Sequence, residues 1–340
     1  MFSYRKILRQ SLNITWHNKY LWFFGLFATF LGAGGEYQII NKVVENNGDS
    51  ALSGMSRFLS IFSPELWSNI GPYFAENPRG ALISVTLLIL ALAIFIFLVI
   101  LSISSQAALV DQAKKLYNNE KKDLGISKGI ATGRAHFWPV LGINILVKVL
   151  IACIFFLITL PVILTAPTAS LPIIIYTILF LIFIPVVIGL SLIAKYAIAY
   201  IVIKKNKFIE AINNAINLFS RNWVISLEMA FILMLINIVV GIMILIAMFA
   251  IAAPFVILSL IFANFTIFWL ITFLGFTVLI LAVIWLGSML TAFLVNSWTK
   301  LFLELLDRKG ESKIKRLNDK EKKETDKKTS KKRKSKKTKK

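Results

Sequence analysis

Lys204-Lys205-Asn206-Lys207-Phe208-Ile209-Glu210-Ala211-Ile212-Asn213-Asn214-Ala215-Ile216-Asn217-Leu218-Phe219-Ser220-Arg221-Asn222-Trp223 runs without a break into an apolar stretch that reaches position 252. Phe208, Ala211, Ile212, Ala215, Ile216 and Phe219 recur at i, i+3, i+4, opposite Glu210, Asn213, Asn214 and Asn217. That period predicts an amphipathic helix lying in a membrane surface. Arg221, Asn222 and Trp223 then form a polar and aromatic anchor at headgroup level, and Glu228 is the only ionised side chain over 224–252. The stretch reads as a transmembrane helix entered from a surface helix.

The same unit opens the chain. Tyr4, Ile7, Leu8, Ser11, Leu12, Thr15 and Trp16 share one helical face and Arg5, Lys6, Arg9, Gln10 and Asn13 the other, before an apolar run over 20–35. Leu12-Asn13-Ile14-Thr15-Trp16-His17-Asn18 matches Ile216-Asn217-Leu218-Phe219-Ser220-Arg221-Asn222 in type at most positions. A weaker third copy passes through Gly129, Gly133, Arg134, His136, Phe137 and Trp138 into the apolar run 139–165. Three hairpins are expected, each opened by a basic surface helix, with Trp16, Trp22, Trp138, Arg221 and Trp223 as interface anchors. The alternative to duplication is convergence, since any inner-surface anchor draws on Arg, Asn and Trp. A basic start, an apolar run and the small residues at 32–35 also suit a signal peptide, but a patterned amphipathic helix is a poor n-region, so 1–35 is expected to be retained.

Composition sets the class. With 57% hydrophobic residues, a mean hydropathy of +0.75 and several apolar runs longer than about 20 residues, the chain is not a water-soluble globule. The periods are helical and the runs too long for barrel strands of roughly 10 residues. Cys153 is the single cysteine, so no intrachain disulfide forms. His17 and His136 lack a cysteine partner set, and neither a metal nor a cofactor is expected. Of the net charge of +21, the segment 308–340 carries +13, from 18 Lys and Arg against 5 Asp and Glu.

Six transmembrane spans are expected, at about 20–35, 81–105, 139–165, 172–203, 224–252 and 276–303. The loop 36–79 is acidic, with a helix start at Ser63-Pro64-Glu65 and an apolar stripe at Leu52, Met55, Phe58, Leu59 and Phe62. The loop 106–137 is basic, and 165–170 is an uncharged outer turn. Pro254 and Gly275 interrupt the last apolar stretch. If 255–273 crossed the membrane, the basic tail would lie opposite the other basic loops, so that piece is expected to be re-entrant or on the surface, with both termini cytoplasmic. The fold class is then all-α integral membrane: a helical membrane domain over 1–306, with cytoplasmic amphipathic helices, and a disordered Lys-rich tail over 307–340.

The amphipathic helix ending Leu218-Phe219-Ser220-Arg221-Asn222-Trp223 resembles bacterial membrane proteins related to the membrane domain attached to some glycerophosphodiester phosphodiesterases. Tyr4-Arg5-Lys6-Ile7-Leu8, Trp16, Tyr20-Leu21-Trp22, Gly32-Ala33-Gly34-Gly35-Glu36 and Arg134-Ala135-His136-Phe137-Trp138 fit the same group, over roughly 1–306. The resemblance implies a six-helix membrane fold in the bacterial cytoplasmic membrane. It implies no hydrolase site, because this chain has no soluble α/β barrel.

No Walker loop, nucleophile elbow, HExxH, CxxC or dinucleotide Gly fingerprint occurs, and no acid and base pair stands out. Lys148, Lys195 and Glu228 are the candidates, because charges inside spans are costly. Two readings stand: snorkelling lysines with one structural Glu228–Lys195 pair, or a polar, net-positive cavity for an anionic group such as a lipid phosphate. The tail is a topogenic charge run, or a partner for anionic headgroups, or a contact for RNA or the ribosome through phosphates. A non-enzymatic protein contacting anionic lipids, a transporter or lipid-translocating protein, and an insertase-like factor all remain open at this level.

Overall fold

The computed structural model describes residues 4–29, 74, 78–120, 123–164, 170–261 and 265–307, all-helical apart from short joints. The helices are α1 (Tyr4–His17), α2 (Tyr20–Thr29), α3 (Pro78–Tyr117), α4 (Ile126–Ala135), α5 (Phe137–Leu164), α6 (Ser170–Lys204), α7 (Phe208–Arg221), α8 (Trp223–Ile261) and α9 (Phe265–Asp307). Among the described residues, α3, α5, α6, α8 and α9 are long and apolar enough to cross a membrane, while α2 is apolar but short. The chain is an all-α, multi-pass membrane protein. The tail over 308–340, the turn 165–169, the Ser63-Pro64-Glu65 helix start and most of the acidic loop lie outside the described residues.

The long helices have two chemically different zones. Every residue of α3 over 82–97 is exposed and mostly large and apolar, whereas Ser102, Ile103, Ser104, Ser105 and 107–113 are buried. A helix that is apolar all round yet not covered by protein belongs in lipid. The exposed apolar bands over 82–100 of α3 and 267–285 of α9 each span roughly 27 Å at 1.5 Å per residue, close to the hydrocarbon thickness of a bilayer. Beyond the bands is a packed end, where α1, α2, α4 and α7 gather around 99–117 of α3, 188–204 of α6, 223–233 of α8 and 286–307 of α9.

Packing at this end follows one rule. Helix α4 docks on α3, α7 docks on α6, and α1, with no long helix before it, docks on the last one, α9. Helices α2, α5 and α8 each pack on the long helix that follows, and α3, α6 and α9 touch one another at the centre. The contacts close as a ring of three units.

Small residues make the docking close. The buried edges are Ile7, Ser11 and Thr15 on α1, Gly129 and Gly133 on α4, and Ala211, Ala215 and Leu218 on α7. A Cβ on Gly133 would lie 2.3 Å from the Ser104 carbonyl oxygen of α3, so no larger residue fits that approach. The joint between surface helix and long helix also recurs. The Asn18 amide donates to the Ile14 carbonyl at 2.8 Å, the Asn222 amide to Leu218 at 3.1 Å, and Nδ1 of His136 lies 3.0 Å from the Thr132 carbonyl oxygen. Each closes the last turn of its surface helix with a side chain four residues on.

Helix boundaries differ from the hydropathy reading in three places. Helix α3 does not stop near 105 but runs to Tyr117, because Gln106, Asp111 and Gln112 find partners in Asn144, Lys115 and Thr132, and Gly125 rather than water. Pro254 lies inside α8, which continues to Ile261. Gly275 does not break α9 either: a Cβ there would lie 2.7 Å from Phe255 Cβ, so the glycine is a packing contact between α8 and α9. The described residues over 255–273 are the end of α8 and the start of α9.

Candidate functional site

The three charged residues singled out from the apolar runs fall in different surroundings. Lys148 is exposed on α5 beside exposed Ile145 and Val149, at the start of the apolar band, a position from which its stem can snorkel to the headgroups. Lys195 is half-buried at the packed end of α6, with Nζ 4.8 Å from the centroid of the Trp298 ring, a cation–π contact across to α9. Glu228, half-buried on α8, accepts a hydrogen bond from the Tyr4 hydroxyl of α1. Lys195 and Glu228 thus both tie helices together at the packed end, whereas Lys148 is exposed.

The anchors divide as well. Trp16, Trp138 and Trp223 are 56%, 76% and 48% exposed, and Arg221 is exposed beside Trp223. Trp22 is the correction. It is buried, its indole N–H donates to the Thr15 carbonyl at 2.8 Å, and its ring meets those of Trp16 and Trp285 edge-on. Residues of α1, α3 and α9 together cover it.

The surface helices keep a second apolar edge open. On α1, Leu12 and Trp16 are exposed next to exposed Arg5, Lys6 and Arg9; on α7, Ile209 and Ile216 are exposed next to Asn213, Asn217 and Arg221. One edge docks on the protein, so the predicted single stripe is split in two. Between α1 and its neighbours runs a buried polar chain: Ser11 Oγ to Tyr117 Oη at 2.8 Å, Tyr117 O–H to the Asn296 carbonyl at 3.2 Å, and the Asn296 amide to Thr15 Oγ1 at 2.8 Å.

At the centre of the packed end lies a polar cavity of about 410 Å³ between the last turns of α3, α6 and α9. Each contributes one lysine, Lys114, Lys204 and Lys300, and Tyr117, Asn118 and Asp307 complete the polar wall. Lys300 lies over the Tyr117 ring, 4.9 Å from its centroid, and pairs with Glu304 at 3.9 Å. The neighbouring Lys115 turns away to Asp111 at 2.7 Å. This convergence carries almost no signal in the sequence. Lys114 and Lys204 read as ordinary inner-side charge, and Lys300 is marked only by its i, i+4 spacing from Glu304.

No protein-family model matches the chain, and neither the curated proteins nor the solved structures contain a match.

Proposed function

We propose that this protein is a non-enzymatic, multi-pass protein of the bacterial cytoplasmic membrane that gathers anionic lipids around its packed end. In this reading the chain crosses six times in three hairpins, the first crossing starting from α2 at the packed end, with both termini cytoplasmic. The observation that carries it is the open edge of the surface helices, where Leu12, Trp16, Ile209 and Ile216 sit beside Arg5, Lys6, Arg9 and Arg221. Such an edge inserts apolar side chains below the headgroups while the cations meet phosphates, each worth about 1 kcal/mol near an anionic surface. The tail over 308–340, at a net +13, adds to the same attraction.

The test is lipid retention. Protein extracted from mixed phosphatidylcholine and phosphatidylglycerol membranes should carry phosphatidylglycerol in excess of the bulk ratio in native mass spectrometry. Combined Arg5→Gln, Arg9→Gln, Trp16→Ser and Ile209→Ser should bring the retained lipid back towards the bulk ratio without unfolding the protein. Retention that mirrors the bulk in the unaltered protein sinks the proposal, and lipid-coupled flux in proteoliposomes would favour a transporter instead.

A further inference from the structure

We infer that the cavity between α3, α6 and α9 is a binding site for a phosphate group, held by Lys114, Lys204 and Lys300. This site is separate from the open edges of the surface helices and does not rest on their reading.

Three lysines brought to one cavity repel each other, and negative charge placed among them offsets that repulsion. Two local sources fall short. The first is the carboxylates of Asp307 and Glu304, which leave the cluster net positive. The second is the set of helix carbonyls at the closing turns, whose negative ends lysines often cap. At α3 these carbonyls are already taken by backbone donors: Asn118 N to Lys114 O at 3.0 Å, Asn119 N to Leu116 O at 3.3 Å and Glu120 N to Lys115 O at 2.9 Å. At α6 the Asn206 N–H reaches back to Tyr200 O at 3.4 Å. Both closures are built on a left-handed residue, Asn119 at φ 58° and Lys205 at φ 55°. The α3 carbonyls closest to Lys114 are thus already bonded, and neither Lys114 nor Lys204 has an ion-pair partner among the described residues.

The ligand class follows from the donors. Lysine offers a compact point charge with three rotatable N–H groups, and three of them from three directions suit a small multivalent oxyanion better than a planar carboxylate. A volume of about 410 Å³ admits a phosphate with a small organic group attached. Leu303 gives the cavity an apolar side against which a glycerol-sized group packs. The Tyr117 hydroxyl is turned to Ser11 and Asn296, so its ring faces Lys300 and fixes that lysine. The phosphate comes either from solution or from a phosphomonoester lipid headgroup, and the experiment separates these sources.

Full-length protein in a neutral detergent is melted at constant ionic strength in chloride, with rising inorganic phosphate, and with short-chain phosphatidic acid against phosphatidylcholine. The expected result is a saturable upward shift in Tm with phosphate or phosphatidic acid and none with phosphatidylcholine. A shift with both locates the affinity in the phosphate group, and a shift with phosphatidic acid alone identifies the lipid as the source; either supports the site. Lys114→Gln with Lys204→Gln should abolish the shift while Lys331→Gln with Lys332→Gln in the tail keeps it. Lys204 is exposed, so Lys204→Gln alone, with at least half the shift lost, serves if the double variant fails to fold. No saturable shift, or one that survives Lys204→Gln and disappears with the tail substitutions, overturns the inference.

Discussion

Gly25→Ala tests whether α2 is packed into the protein as tightly as its contacts require. A methyl group on Gly25 would lie 2.2 Å from the Ser288 carbonyl oxygen, 3.0 Å from its carbonyl carbon and 3.3 Å from Ala292 Cβ. Ordinary contact distances are 3.5–4.0 Å between carbons, so α2 and α9 must part by roughly 1 Å along their shared face. Parting them also loosens the Ser288 hydroxyl from the Trp22 carbonyl and the 2.8 Å contact between the Thr29 and Thr291 hydroxyls. Overpacking of this kind costs about 1–3 kcal/mol and a lost hydrogen bond about 0.5–1.5 kcal/mol, while alanine regains about 1 kcal/mol of helix propensity. The net loss is about 1–3 kcal/mol, a fall of several degrees in Tm. Gly287→Ala is the control, one residue before Ser288 with nothing within 4 Å of the added Cβ, and it should melt at or above the unaltered protein. Thermal denaturation in detergent, followed by tryptophan fluorescence, ranks the two variants. Should Gly25→Ala melt no lower than Gly287→Ala, the close approach of α2 to α9 is wrong.

Tyr4→Phe and Glu228→Met should each lower Tm, and the double variant should lose less than their sum, because the two side chains share one hydrogen bond between α1 and α8; strictly additive losses would remove that bond from the account. The proposed orientation is checked in intact cells after Cys153→Ala, with single cysteines introduced as Ser50→Cys and Ser335→Cys and an impermeant thiol reagent. Position 50 should label and position 335 should not; the reverse pattern refutes the proposed sidedness.

The amphipathic helices were legible from their period, because which residues share a helical face is a local property of spacing. The helices at Tyr4–His17 and Phe208–Arg221 fall where the stripes predict, and their joint residues Asn18 and Asn222 repeat a match visible in the sequence. The split of each stripe into a docked and an open edge was not legible. Ala211 and Ile216 look equally apolar on paper, and only the position of α6 buries one and leaves the other exposed. The candidate site was harder still. Lys114, Lys204 and Lys300 stand about ninety residues apart in sequence, and each taken alone is an unremarkable charge near a helix end.

By itself the sequence determined the class of the protein. Apolar run length and the 3.6-residue period decide that helices enter a bilayer, since the cost of unpaired backbone groups in lipid depends on no other part of the chain. Tertiary structure alone decided where those helices end. Gln106, Asp111 and Gln112 look like the start of an aqueous loop, yet the helix continues because Asn144, Lys115, Thr132 and Gly125 supply the partners that water would otherwise give. A polar group accepts burial only when its partner is present. For Gln106 with Asn144, as for Asn296 with Thr15, that presence is fixed by packing between segments far apart in the chain.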